Sequence, residues 1–169
     1  MTEARAAVVS ATFTVTFDWR VFHGEAELAA GGPELLARIR SVANLEGSID
    51  IAAPGSPPTR IADELAPWIQ NLCFRAIPAL GMGEPTRIQY FSRSGFLLLT
   101  PQGEDVELTS DKTPTALYPR KPLMRELVAC GERFLAFAGG LKRDDQDYMA
   151  NLNYVTKFLE PARAALLHM

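Results

Sequence analysis

The chain has 169 residues, 47% of them hydrophobic and 22% charged, with a net charge of −3. This is ordinary globular material for one domain, which excludes a disordered or fibrous chain. The 17 basic residues are spread along the sequence and no run of roughly 18 apolar residues occurs, so neither a nucleic acid nor a membrane is an expected partner.

From Val8 to Phe22 the residues alternate. Val9, Ala11, Phe13, Val15, Phe17, Trp19 and Val21 fall on one side, and Ser10, Thr12, Thr14, Thr16, Asp18 and Arg20 on the other. A period of two predicts a long strand with one dry face, supplying Phe13, Phe17 and Trp19 to the core. Ala6–Phe17 lacks charge and follows Arg5, but Glu3 and the threonine alternation suit a strand better than a secretory signal, and a cytoplasmic protein is expected.

His23-Gly24 ends the strand, and Gly31-Gly32-Pro33 leads into a helix from about Pro33 to Ala43, with Leu35, Leu36, Ile39 and Val42 on one stripe. Ile49 to Ala53 reads as a short strand, and Pro54-Gly55-Ser56-Pro57-Pro58 as an exposed loop. A second helical stripe runs through Ile61, Leu65, Trp68, Ile69, Leu72, Ala76 and Leu80, with Asp63 as its cap. Proline lacks an amide hydrogen and crowds the preceding turn, so a kink or a restart is expected near Pro67 and an end near Pro78.

Arg87–Ser92, Phe96–Thr100 and Asp105–Thr109, joined by turns at Ser94-Gly95 and Pro101-Gln102-Gly103, predict an antiparallel meander. Leu123, Met124, Leu127, Val128, Gly131, Phe134, Leu135 and Ala138 mark a helix opened by Pro122 and closed by Gly139-Gly140. Asp144 or Asp145 caps a last helix carrying Tyr148, Met149, Leu152, Val155 and Leu159, bent or restarted at Pro161. The order predicts an α+β fold over residues 1–169: one domain, with an antiparallel sheet of about five strands packed by about four helices. A doubly wound parallel sheet fits less well.

Chemistry-bearing patterns are sparse. Cys73 and Cys130 lie inside apolar helical stripes and read as buried free thiols in a reducing cytosol. No HExxH or CxxC spacing occurs, so no metal or other cofactor is expected. Tyr90 stands where a nucleophile elbow around Ser92 needs glycine, and Gly81-Met82-Gly83 follows a helix, the reverse of a phosphate loop. The one catalytic candidate is Asp18, Arg20 and His23, where a carboxylate near a histidine could orient an acid–base pair. Asp144, Asp145 and Asp147 lack the glycine and distal glutamate of a calcium loop and suit a helix start.

The segments FLLLTPQGEDVELTSD and LYPRKPLMRELVACGERFLAFAGGL resemble small bacterial α+β proteins of toxin–immunity systems, over roughly residues 87–141. The resemblance implies a cytoplasmic protein that neutralises a toxin by binding it. Glu104, Asp105 and Glu107, with Asp144, Asp145 and Asp147, are the candidate rim for a basic partner. A small enzyme or small-molecule binder with a pocket near His23 is the alternative. An assembly subunit, joined through a strand edge or the last helix, is the third reading.

Overall fold

The computed structural model describes residues 8–41, 44–141 and 152–169. Two four-stranded antiparallel sheets share one contiguous core with helices, an α+β architecture. The first sheet has the order β2-β1-β3-β4, formed by β1 (Ser10–Thr16), β2 (Phe22–Gly24), β3 (Glu46–Ala52) and β4 (Thr59–Glu64). The second is a meander, β5-β6-β7-β8, formed by β5 (Thr86–Gln89), β6 (Phe96–Gln102), β7 (Asp105–Ser110) and β8 (Ala116–Pro119).

The expected single sheet of about five strands is therefore two sheets of four. Three short strands make the difference. Phe22–Gly24 turns back on β1, pairing Thr16 with Phe22 and Val15 with His23, so the run from Val8 to Phe22 is a hairpin and not one long strand. Thr59–Glu64 pairs with β3, placing Thr59, Ile61 and Asp63 on the buried side. Ile61 thus belongs to a strand period, although the same residue also fits the helical stripe that follows. Ala116–Pro119 is too short to carry a signal of its own, yet Ala116 and Tyr118 are buried.

Helices α1 (Glu25–Ala30) and α2 (Pro33–Ala37) follow the first hairpin, and α1 has no counterpart in the sequence reading. Helix α3 (Leu65–Trp68) passes into a π-helical turn (Ile69–Arg75) and then α4 (Ala76–Gly81). Pro67 lies in the first turn of α3, where its missing amide costs nothing, and Pro78 does not end the helix. The wider π turn ahead of Pro78 gives its ring the room that a regular turn denies. The cap of α3 is Glu64, which makes no side-chain capping bond, so Asp63 serves another purpose.

Helix α5 (Arg120–Gly140) lies across β1 and the π turn, with Leu123, Met124, Leu127, Cys130, Phe134 and Ala138 buried. At Gly131 the helix lies close against the π turn: an added Cβ would stand 2.5 Å from the Phe74 ring. Cys73 and Cys130 are free, buried and adjacent across this interface, and burial pushes the Cys73 thiol well above its ordinary range. Helix α6 (Leu159–Leu167) buries Leu159 and Ala162 and contains Pro161 in its first turn. Among the described residues, no helix is long and apolar enough to cross a membrane.

Candidate functional site

The turn between β1 and β2 is built from its own side chains. The Thr16 hydroxyl donates to the Val21 carbonyl at 2.7 Å and accepts from the Trp19 amide at 3.0 Å. Asp18 Oδ1 accepts from the amides of Arg20 at 2.9 Å and Val21 at 3.0 Å. Those backbone donors, Val21 first, hold the Asp18 carboxyl below its usual range. This short Asx-type turn leaves Trp19 at φ +59°, the only described non-glycine residue with a positive φ. A bulky side chain there costs roughly 1–3 kcal/mol and persists only where its surroundings impose it.

Trp19 is thereby turned out of the core that the alternation assigned to it, and is 38% exposed. The Phe22 ring lies 6.3 Å from the indole, and the Arg93 guanidinium stands 5.4 Å above it. Arg60, bound by Asp50 at 2.8 and 2.9 Å, covers Phe22 at 4.5 Å, and Arg38 covers Phe17 at 4.2 Å. Val21 and Phe91 add apolar surface at 52% and 64% exposure. Arg20, Arg38 and Arg93 form no ion pair among the described residues. The result is an exposed aromatic cluster interleaved with arginines, the residue types that dominate binding energy at protein interfaces.

Asp63 fixes the second half of this surface. Its carboxylate, 1% exposed at the end of β4, accepts from Trp68 Nε1 (2.9 Å), the Glu64 amide (2.8 Å), and the amides of Phe91 (2.6 Å) and Ser92 (3.0 Å). The Ser92 hydroxyl donates to it as well. Burial alone would raise this carboxyl, but the donors, led by the Ser92 hydroxyl, outweigh it and hold it below its ordinary value. The β5–β6 turn is thus pinned to the first sheet, and Arg93 reaches Trp19 from it. The sequence neighbours of Asp63 show only the local role of a helix cap. Two of its donor residues, Phe91 and Ser92, lie 28 and 29 residues away, whereas Glu64 and Trp68 are near neighbours.

The other candidate residues are dispersed. Asp18 is committed to the turn, whereas His23 lies on the opposite face beside Val15 and pairs with Glu27 (Nδ1 to Oε1, 2.6 Å). The structure therefore joins His23 to Glu27 and not to Asp18 or Arg20. Glu104 and Asp105 line a 220 Å³ recess that also contains Arg120 and Lys121. Glu107 is on the outer sheet face, opposite Leu117 and hydrogen-bonded to Gln102 and Thr109. Asp105 and Glu107 stand two residues apart on β7 and so share one face of that strand. Asp144, Asp145 and Asp147 lie outside the described residues. Among the described residues, no group of three or more histidine, cysteine or carboxylate side chains is placed to hold a metal.

Comparison with protein families, curated proteins and solved structures finds no match to this chain.

Proposed function

We propose that this chain is a protein-binding module of the immunity kind, neutralising a toxin by direct contact through the Trp19–Phe22–Arg93 surface. The observation that carries the reading is Trp19 itself. An exposed indole in a left-handed backbone adds little to the core, and its strain is intelligible where the side chain is used. Arg93, set over the indole and outside any ion pair among the described residues, favours a partner surface bearing carboxylates, in place of the basic partner that an acidic rim would suit. The sequence resemblance over residues 87–141 supplies the toxin as partner class.

The catalytic alternative has less behind it. Asp18 Oδ1 already accepts from two amides, and none of Asp18, Arg20 and His23 lines the recess beside Glu104, the groove beside β5 or the two hollows beside Leu36.

Co-expression with the product of the neighbouring gene tests the proposal. A stoichiometric complex and restored host growth are expected from the parent chain, with both lost in Trp19→Ala and Arg93→Glu variants that remain folded by circular dichroism. No complex with that product, or a complex indifferent to both substitutions, overturns it.

A further inference from the structure

Beside the β5 edge runs a groove of about 360 Å³, walled by one face of the π turn and α4. Tyr90 N donates to Gly95 O at 3.0 Å, which makes Tyr90 and Gly95 a hydrogen-bonded pair. Alternation along an antiparallel ladder then turns the amides and carbonyls of Ile88 and Thr86 toward β6. Those of Arg87 and Gln89 point outward, along the groove. β5 is the terminal strand of its sheet, so these groups have no ladder partner among the described residues.

Among the described residues, no side chain plugs this edge. On β1 the comparable positions, beyond the end of β2, are plugged: Arg133 donates to Ala11 O at 2.7 Å and Glu25 accepts from Phe13 N at 3.3 Å. On β8, the Leu117 carbonyl accepts from the Ser56 hydroxyl. β5 carries neither proline nor an inward-pointing charge, two common means of blunting an edge. The opposite wall presents Asn71, Arg75 and Ala79, and among the described residues no carboxylate lines the groove. Arg75 is set over the Phe158 ring at 5.2 Å, and the buried Thr86 hydroxyl has no hydrogen-bond partner.

We infer that an extended, acidic segment of a partner protein adds to β5 as a fifth strand, its backbone pairing with Arg87 and Gln89 and its alternate carboxylates meeting Arg75. Small Ala79 leaves room for side chains facing the helix, and the paired backbone supplies register-independent affinity. This rests on the protein-binding reading above and specifies how part of the partner docks, since β5 leads directly into Phe91 and Arg93.

The test uses the full chain, labelled with nitrogen-15, and capped seven-residue peptides alternating valine with glutamate or with lysine. The Arg87 and Gln89 amides should exchange quickly in the free protein and at least 10-fold more slowly with the glutamate peptide. The lysine peptide, and a glutamate peptide N-methylated at alternate residues, should give no protection at the same concentration. Arg75→Glu should weaken binding at least 10-fold. Equal binding of both charge types, indifference to N-methylation, or no binding at millimolar peptide overturns the inference. So does protection of both amides in the free chain, which would mean that a second copy or another part of the chain occupies the edge. If the peptide fails while the Trp19-dependent complex forms, only strand addition falls. If the peptide binds while the neighbouring gene's product does not, only the toxin reading falls.

Discussion

Asp63 and Trp19 illustrate two ways in which one residue can shape a surface. Asp63 is a buried charge made tolerable by its donors, because a carboxylate in the interior is stable only when its lone pairs are filled. An amide in its place would turn its NH₂ group toward donors. Asp63→Asn should therefore cost about 2–4 kcal/mol at pH 7 in urea unfolding. The pH dependence has a definite sign. The folded carboxyl lies below its ordinary value, so the unfolded chain binds the proton more readily. Its stabilisation is present above about pH 4 and is lost as the pH falls through the depressed folded value. Urea titrations at pH 7, 5 and 3 should show the parent losing stability at the acid end and Asp63→Asn losing less.

Glu64 behaves in the opposite sense. Burial first, then Asp63 and the cross-strand Glu46, raise its carboxyl above the ordinary value. Its ionisation therefore opposes folding at neutral pH, and the effect disappears as the group is protonated. Glu64→Gln should raise the melting temperature at pH 7 and change it little at pH 4; a lower melting temperature at pH 7 would contradict this account.

At the scale of elements, strand edges are treated unequally. The Arg133–Glu25 pair (2.7 Å) occupies the place a neighbouring strand would take beside Ala11 and Phe13. Removing either partner should expose that edge. Arg133→Ala is expected to lose about 1–2 kcal/mol and to aggregate at lower protein concentration, readable by light scattering on heating. Unchanged stability and solubility would show that the plug is incidental.

Long periodic elements were legible in the sequence because a single period covers them. β1, the β5–β6–β7 meander and α5 all follow from alternation, turns and the 3.6-residue stripe. The failures share a different cause. β2 and β8 lack a turn signal tying them to a neighbouring run, β4 shares Ile61 with the helical stripe that follows it, and pairing across the fold decides all three. Trp19 obeys the alternation but escapes it, because Thr16 and Asp18 close a turn whose hydrogen bonds outweigh burial of one indole. The site was equally hard to read: its parts come from residues 17–22, 60–64 and 91–93, and nothing in the linear order brings them together.

Across the whole molecule, a common core under two sheets supplies rigidity, while one end gathers the exposed aromatics and arginines. Glycine accepts φ +59° without strain, so Trp19→Gly separates the tryptophan's contribution to folding from its contribution to binding. Relief of the strained turn, roughly 1–2 kcal/mol, offsets the lost Phe22 and Arg93 contacts and the extra freedom of the unfolded chain. The decisive measurement is the melting temperature of Trp19→Gly alongside its affinity for the purified partner by calorimetric titration. The account predicts a melting temperature within a few degrees of the parent or above it, and an affinity reduced at least 100-fold. An unchanged affinity, or a loss of affinity that merely accompanies a collapse in melting temperature, would contradict it.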